Sequence, residues 1–432
     1  MPLELIAGTP GFAAGFNRLV ASARETVEQV DSVAAAIVED VRRRRDQALL
    51  DYTARFDKLE VTADRLAIGS REIDAAWRKT PAAARRALQT AAQRIDAFHR
   101  RQLPGDVGWT DGLGLRLGWR WTAVDSVGLY VPGGRAAYPS SVLMNAVPAR
   151  VAGVERLVMV VPTPSGVLNP LVLAAARIAG VTEIYRVGGA QAVAALAFGT
   201  ATIKAVDKIV GPGNAYVAAA KRLVFGTVGI DSIAGPSEVV VVADAANDPD
   251  WIAADLMAQA EHDPVAQSIL ITDDARFAAR VGAAVDALIG KLKRKAIAAA
   301  SWRDHGAVIV VRRLADAPAL VDRLAPEHLQ LAVAEPDRLA GRIRHAGAIF
   351  LGRHTPEALG DYVAGPSHVL PTSRTARFAS GLGVLDFMKR TTLIGADSAG
   401  LDALAPAAVA LARAEGLDAH ARSIAVRRAA RR

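Results

Sequence analysis

Apolar residues recur every three or four positions through most of the first 105 residues. The spacing is clearest over Thr26–Asp51 and Ser70–Arg101, where polar residues fill the positions between them. This period matches the 3.6-residue repeat of a helix with one apolar face. The sequence therefore predicts a mostly helical amino-terminal part.

From about Ala123, short β-branched runs alternate with Ala-rich segments of helical pattern. The predicted strands are Leu157–Pro162, Glu183–Val187, Lys208–Val210, Glu238–Ala243, Ser268–Thr272, Ala307–Val311 and Ala348–Leu351. The predicted helices between them are Asn169–Ile178, Ala192–Phe198, Ala215–Val224, Trp251–Glu261 and Arg276–Lys291. Nearly continuous apolar strands that alternate with helices are typical of an α/β fold whose parallel sheet is covered on both faces. There are enough strands for two such sheets.

After Pro371 the pattern predicts a polar loop, followed by helices around Gly381–Lys389 and Pro406–Ala414. The longest uncharged stretch, Leu157–Ala176, approaches the length of a membrane span, but prolines and a glycine interrupt it. The first residues show no secretory signal pattern. We therefore expect a soluble, cytoplasmic protein with no membrane partner.

The composition excludes several kinds of chemistry. The chain has 432 residues and no cysteine, so disulfides, thiolate zinc sites, iron–sulfur clusters and a cysteine nucleophile are all excluded. A bound metal would need histidine, carboxylate or amide ligands. The absence of cysteine also fits a reducing compartment.

The net charge of +8 is concentrated at the carboxyl terminus. The last eleven residues contain no acid and five arginines, namely Arg422, Arg427, Arg428, Arg431 and Arg432. A short basic tail is typical of a solvated terminus, so we expect no nucleic-acid partner. The opposing hypothesis is a non-enzymatic protein that binds polyanions through this tail, and it predicts salt-sensitive binding.

Glycine-rich turns follow several predicted strands, although neither G-x-G-x-x-G nor a Walker A sequence is present. The turns are Gly133-Gly134, Gly188-Gly189-Ala190-Gln191 and Gly211-Pro212-Gly213-Asn214. Glycines at the carboxyl ends of parallel strands let the backbone approach a phosphate. A glycine after a strand can equally serve a purely conformational purpose.

Histidines, acids and one amide form four groups that suit a divalent cation or acid–base catalysis. The groups are Gln259 with His262, three residues apart on a predicted helix; Glu327 next to His328; Asp361 with His368; and Glu415 with His420. Each of these residues has an ordinary surface or capping role as its alternative. From the residues alone, the prediction is an α/β ligand-binding protein whose substrate is undetermined.

Longer motifs make the sequence closely similar to the histidinol dehydrogenase family over essentially the whole chain. The motifs are YTARFD from Tyr52, VGLYVPGG from Val127, YPSSVLMN from Tyr138, GGAQ from Gly188, VDKIVGPGN from Val206, AGPSE from Ala234, QAEHDP from Gln259, APEHL from Ala325, GPSHVLP from Gly365 and AEGLDAH from Ala414. Two positions, Ser367 and Ala421, depart from residues common in the family. Neither departure removes a ligand or base that the resemblance implies.

The resemblance implies roles for individual residues. It implies one Zn²⁺ per subunit, bound by Gln259, His262, Asp361 and His420, and an acid–base pair of Glu327 and His328. The implied substrate contacts are Ser237, Gln259, His262, His328, Asp361, His368, Glu415 and His420, and the implied NAD contacts are Tyr130, Gln191 and Asn214.

The resemblance also implies an architecture. We expect two Rossmann-like domains with small terminal domains, in an intertwined homodimer whose exchanged carboxyl terminus brings Glu415 and His420 to the partner's site. The expected division is residues 1–26 as an amino-terminal arm, 27–129 with 236–381 as a first Rossmann-like domain, 130–235 as a second, nucleotide-contacting domain, and 382–432 as a small carboxyl-terminal domain.

The implied reaction oxidises L-histidinol to L-histidine through L-histidinaldehyde, with two NAD⁺, in the last steps of histidine biosynthesis. Without cysteine, the aldehyde has to be oxidised through its hydrate, which needs a base for the alcohol proton and a base for water. His328, with an ordinary pKa near 6.5, suits the first task, and Glu327 is the candidate for the second. The alternative is a relative that uses the same zinc and NAD on another amino alcohol or diol.

Overall fold

The computed structural model describes residues 1–21, 28–133, 138–233 and 235–429. The chain forms two compact units. The first contains Met1–Gln102 and Asp125–Phe387, and the second contains Leu103–Val124 and Met388–Arg432. None of the helices in the described ranges has both the length and the apolar composition needed to cross a membrane.

The described residues form fourteen strands and seventeen α-helices. The strands are β1 Leu3–Ile6, β2 Val107–Thr110, β3 Arg116–Ala123, β4 Ser126–Tyr130, β5 Arg156–Val160, β6 Glu183–Tyr185, β7 Lys208–Val210, β8 Gly229–Ile230, β9 Glu238–Ala243, β10 Gln267–Thr272, β11 Ala307–Val310, β12 His328–Ala332, β13 Ala348–Leu351 and β14 Met388–Gly395. The helices are α1 Phe12–Ala21, α2 Glu28–Arg44, α3 Asp46–Asp57, α4 Ser70–Lys79, α5 Ala82–His99, α6 Pro139–Ala152, α7 Pro170–Ala179, α8 Gly189–Phe198, α9 Ala215–Val224, α10 Pro249–Ala260, α11 Ala275–Ile289, α12 Lys295–His305, α13 Ala317–Leu324, α14 Pro336–Ala340, α15 Glu357–Tyr362, α16 Ser398–Ala414 and α17 Asp418–Ala429.

Two parallel sheets lie in the first unit, which confirms the predicted α/β fold. One has six strands in the order β1-β11-β10-β9-β12-β13, and the other has five in the order β6-β5-β4-β7-β8. Every neighbouring pair in both sheets is parallel. In each sheet, successive strands are added first on one side and then on the other, so the strand order reverses at β9/β12 and at β4/β7.

Burial on both faces explains the unbroken apolar sequence of the central strands. All six residues of β9 are buried. Val239 and Val241 pack with the residues of α10, α11 and α12, whereas Val240 and Val242 pack with Phe16 and Val321 on the opposite face. Since side chains alternate between the faces of a strand, a sheet that is covered on both sides favours apolar residues at successive positions.

The second unit contains a three-stranded antiparallel sheet in the order β14-β3-β2 and the helices α16 and α17. The predicted helix around Gly381–Lys389 is wrong. A single 3₁₀ turn, Val384–Phe387, leads directly into β14. All eight residues of β14 pair with β3, and this long-range pairing prevails over the weak local helical pattern.

Several other predicted elements are confirmed to within a few residues, including the strand over Glu238–Ala243 and the helix over Ala215–Val224. The helical prediction that starts at Thr26 begins outside the described residues, and the structure has α2 and α3 over the rest of that range. The division into four domains stays a prediction.

Candidate active site

A cavity of about 470 Å³ lies in the first unit. Both sheets contribute to its lining. The six-stranded sheet contributes residues at the amino ends of β9 and β12, and the five-stranded sheet contributes the loop that follows the carboxyl end of β7. Eight of the predicted site residues line this cavity, namely Asn214, Ser237, Gln259, His262, Glu327, His328, Asp361 and His368.

Glu327 is held where β9 and β12 begin. Its Oε2 accepts a hydrogen bond of 2.9 Å from the backbone N–H of Glu238, and its own N–H lies 3.4 Å from Oε2 of Glu238. The parallel pairing of β12 with β9 brings these two residues together. The carboxylate of Glu327 is therefore fixed at the cavity wall, and the residue as a whole is 7% exposed.

His328 begins β12 and is oriented by a backbone contact. Its Nδ1 lies 3.0 Å from the backbone oxygen of Glu238. Because a carbonyl oxygen can only accept, Nδ1 carries the proton, and Nε2 has a free lone pair. Nε2 is buried and has no hydrogen-bond partner among the described residues. Burial lowers the pKa of His328 to about 4, which the charge of Asp361 offsets only in part.

Glu357 is a buried acid in the same wall, and the sequence motifs gave no indication of it. It lies on α15, four residues before Asp361, and its Oε1 is 3.6 Å from Nδ1 of His328. Burial raises the pKa of Glu357 well above its usual value, and the charges of Asp361 and Glu327 act in the same direction. Its four-residue spacing from Asp361 could have indicated that the two acids share one face of a helix. A helix of six residues, however, is too short for its periodicity to be recognised in the sequence.

Gln259 and His262 lie at the end of α10. Asp248 caps the start of this helix, with its side chain accepting from the N–H of Asp250, and the N–H of His262 bonds to the backbone oxygen of Gln259 at 3.1 Å. Gln259 is 1% exposed, and neither atom of its amide has a hydrogen-bond partner among the described residues. An unpartnered buried amide is costly, so this group fits a ligand in the cavity.

Asp361 and His368 converge although a loop separates them in sequence. Nδ1 of His368 lies 3.1 Å from the backbone oxygen of Asp361, and Nε2 lies 3.3 Å from Oγ of Ser141. Burial lowers the pKa of His368. One ligand-type atom each from His328, Glu357 and Asp361 lies within 4.8 Å of the other two, so the cavity wall has nitrogen and oxygen donors close enough to share a cation.

The carboxyl edge of the five-stranded sheet holds the residues expected to contact a nucleotide. The hydroxyl of Tyr130, at the end of β4, accepts from the N–H of Gly189 at 3.0 Å, and burial raises the pKa of Tyr130 to about 12. Gln191 is 1% exposed, and its Oε1 has no partner among the described residues. Asn214 caps α9 by accepting from the N–H of Val217. Of the predicted turn Gly133-Gly134, Gly134 lies outside the described residues.

Glu415 and His420 lie in the second unit, near the junction of α16 and α17. Both are exposed. The residues that line the cavity all belong to the first unit. The roles predicted for Glu415 and His420 stay predictions.

The chain is similar to known proteins along almost its whole length. The family model for histidinol dehydrogenase matches residues 20–428. A histidinol dehydrogenase of Rhodospirillum rubrum is 68% identical over 428 residues, which cover 99% of each chain. One of Cereibacter sphaeroides is 62% identical over 99% of this chain and 98% of its own.

A solved structure agrees with these sequence matches. The crystal structure of histidinol dehydrogenase from Elizabethkingia anophelis superposes with a TM-score of 0.93 at 34% identity, covering 99% of this chain and 98% of that one. The chain belongs to the histidinol dehydrogenase family.

Proposed function

We propose that this protein oxidises L-histidinol to L-histidine through L-histidinaldehyde, with two NAD⁺ and one Zn²⁺ per subunit. The observation that carries the proposal is the fixed Glu327–His328 pair facing a cavity that also holds Gln259, His262 and Asp361. Family membership supports the substrate. The cytoplasmic location and the absence of a nucleic-acid partner stay predictions.

Zn²⁺ fits the donors of this cavity. Gln259 presents an unpartnered buried amide, and His262 and Asp361 add an imidazole and a carboxylate to the lining of the same cavity. These three residues, with the partner subunit's His420, are the ligands we propose. Bound zinc would act as a Lewis acid that holds and orients the amino alcohol.

NAD⁺ fits the carboxyl edge of the five-stranded sheet. Tyr130, Gln191 and Asn214 lie at or just beyond the ends of three of its strands, and the strand order reverses between β4 and β7, where open parallel sheets bind nucleotides. The bound nucleotide would accept the hydride in each of the two oxidations. We propose accordingly that the two parallel sheets with their helices are Rossmann-like domains.

His328 is the proposed base for the alcohol proton. Its Nδ1–H is engaged by the backbone oxygen of Glu238, so Nε2 is the basic atom. The low pKa keeps the ring neutral near neutral pH, as a base requires, and it weakens the ring as a proton acceptor. Nδ1 lies 3.5 Å from Oε2 of Glu327, so a carboxylate that can stabilise positive charge on the protonated ring is nearby.

Glu327 is the proposed base for water in the second oxidation. A carboxylate whose Oε2 already accepts from Glu238 is held in one orientation, and this limits the entropy lost when water is activated. Ser237 and His368, which line the same cavity, are the proposed contacts to the rest of the substrate.

We propose that the carboxyl-terminal segment completes the site of the partner subunit in a homodimer. Glu415 would bring a negative charge to the ammonium end of histidinol, and His420 would complete the zinc ligands. The support is that both residues are exposed and lie in a unit separate from the one that forms the cavity.

The experiment that tests the substrate is NADH formation with L-histidinol and with 2-amino-alcohols that lack the imidazole ring. At low substrate concentration we expect histidinol to be oxidised and the 2-amino-alcohols without an imidazole ring not to be oxidised. Equal or better turnover of an amino alcohol or diol without imidazole would favour the alternative substrate.

A further inference from the structure

A buried ion pair joins Lys221 of α9 to Asp231, the residue that follows β8. The Lys221 ammonium contacts Oδ1 of Asp231, and the two side chains are 2% and 4% exposed. Burying two charges costs so much solvation that an apolar pair of the same volume is often as stable or more stable. Stability alone is therefore a weak reason for this pair.

Both charged groups also bind the backbone at Gly211. Oδ2 of Asp231 accepts from the N–H of Gly211 at 2.8 Å, and Nζ of Lys221 donates to its carbonyl at 3.1 Å. Gly211 has a φ of +112°, and a Cβ there would overlap the backbone oxygen of Tyr130. The ion pair thus binds both the backbone N–H and the backbone carbonyl of Gly211, a position that only glycine can occupy.

The turn that starts at Gly211 forms part of the cavity wall. Its next three residues, 212–214, line the cavity, and so does Asp231. Asn214 at the end of the turn caps α9, the helix that carries Lys221. The turn is therefore fixed at its start by the ion pair and at its end by the helix cap.

We propose that Lys221 and Asp231 are positioning residues that hold the turn 211–214 in the place where it contacts the nucleotide cofactor. This inference rests on the proposed function, because that function places NAD⁺ at this edge of the sheet. The ion pair does not touch the reacting atoms. Its effect is on cofactor affinity, through the backbone of the turn.

The test compares two double variants, each of which replaces a basic residue by Met and an acidic residue by Val. Lys221→Met with Asp231→Val removes both charges together, which avoids leaving one charge buried alone. The control is Arg156→Met with Glu183→Val, which removes a half-buried ion pair at the amino edge of the same sheet. The measurements are the Kd for NADH by fluorescence titration, the thermal midpoint, and the KM values for NAD⁺ and L-histidinol.

We expect the Kd for NADH and the KM for NAD⁺ to rise about ten- to a hundredfold in the Lys221/Asp231 variant, since a small misplacement of a positioned group has effects of this size. The KM for histidinol should change less than the KM for NAD⁺, and the NADH affinity of the control should stay as in the wild type. An unchanged Kd in the folded Lys221/Asp231 variant overturns the proposal, and so does an equal rise in the control.

If the double variant does not fold, Asp231→Asn replaces it and the NADH titration is read in the same way. A wild-type protein that fails to bind NADH also overturns the proposal. A wild-type protein that binds NADH but leaves histidinol unoxidised refutes the proposed substrate, while the ratio of the Kd values still decides the role of the ion pair.

Discussion

His328 donates from Nδ1 to the backbone oxygen of Glu238 over 3.0 Å. This contact determines which ring nitrogen can act as a base, because the proton on Nδ1 leaves the lone pair on Nε2. Glu238 also holds Glu327 through its backbone N–H. One residue at the start of β9 therefore orients both members of the proposed acid–base pair.

Replacing His328 by alanine should lower kcat by about a hundred- to ten-thousandfold, the usual contribution of a positioned base. Zinc content should stay near that of the wild type, because His328 is not among the proposed ligands. Steady-state kinetics and metal analysis of the same preparation measure both. His354→Ala, at an exposed histidine that does not line the cavity, is the control, and turnover in His328→Ala equal to that of the control would refute the role.

The stability of the metal-free protein should depend on pH through His328. Burial lowers its pKa from about 6.5 in an unfolded chain to about 4. Between these values the unfolded chain binds a proton that the folded chain does not, so His328 lowers the stability as the pH falls through this window.

In His328→Gln this contribution disappears. When the pH is lowered from about 7 to about 5, the free energy of unfolding should decrease by about 2 kcal/mol less in the variant than in the wild type. Urea titrations at the two pH values measure the difference. Parallel losses in the two proteins would contradict a buried neutral ring.

Gln259→Leu should reduce zinc content after dialysis, because it removes a donor from the proposed ligand set while keeping a side chain of similar size. Gln330→Leu is the matched control. Gln330 is also fully buried, but it bonds to Asp255 and does not line the cavity. Full zinc content in a folded Gln259→Leu protein would exclude Gln259 as a ligand.

Two inactive variants should restore activity to each other if the site is shared between subunits. Co-expressed His328→Ala and His420→Ala chains form mixed dimers in which one site has both mutations and the other has neither. About a quarter of wild-type activity is then expected from random pairing in a two-fold dimer. Mixed dimers without activity would mean that His420 acts within its own chain.

The sequence predicted three neighbouring strands of the six-stranded sheet, β9, β10 and β11, but it missed β12, whose five residues are all buried. In Glu238–Ala243 every position is apolar after the first, a run that is typical of a strand buried inside a parallel sheet. The prediction failed for Met388–Gly395, where six of the eight residues are exposed. That strand is defined by its pairing with β3, a long-range contact that leaves no local pattern.

The cavity residues were predicted one by one, but their arrangement was not. The glycine-rich turns suggested a site at the carboxyl ends of strands, whereas Glu327 and His328 lie at the amino end of β12. Glu357 was missed because its importance comes from burial beside His328. The pairing of β12 with β9 and the packing of α15 bring these groups together, and both depend on the folded chain.

The most direct test of the proposed function is the number of NADH molecules formed per L-histidinol consumed, before chelation, after chelation, and after zinc is returned. We expect two NADH for each histidine produced, loss of this activity on chelation, and recovery with Zn²⁺. One NADH per histidinol with release of the aldehyde, or full activity in zinc-free protein, would contradict the proposed four-electron, zinc-dependent oxidation.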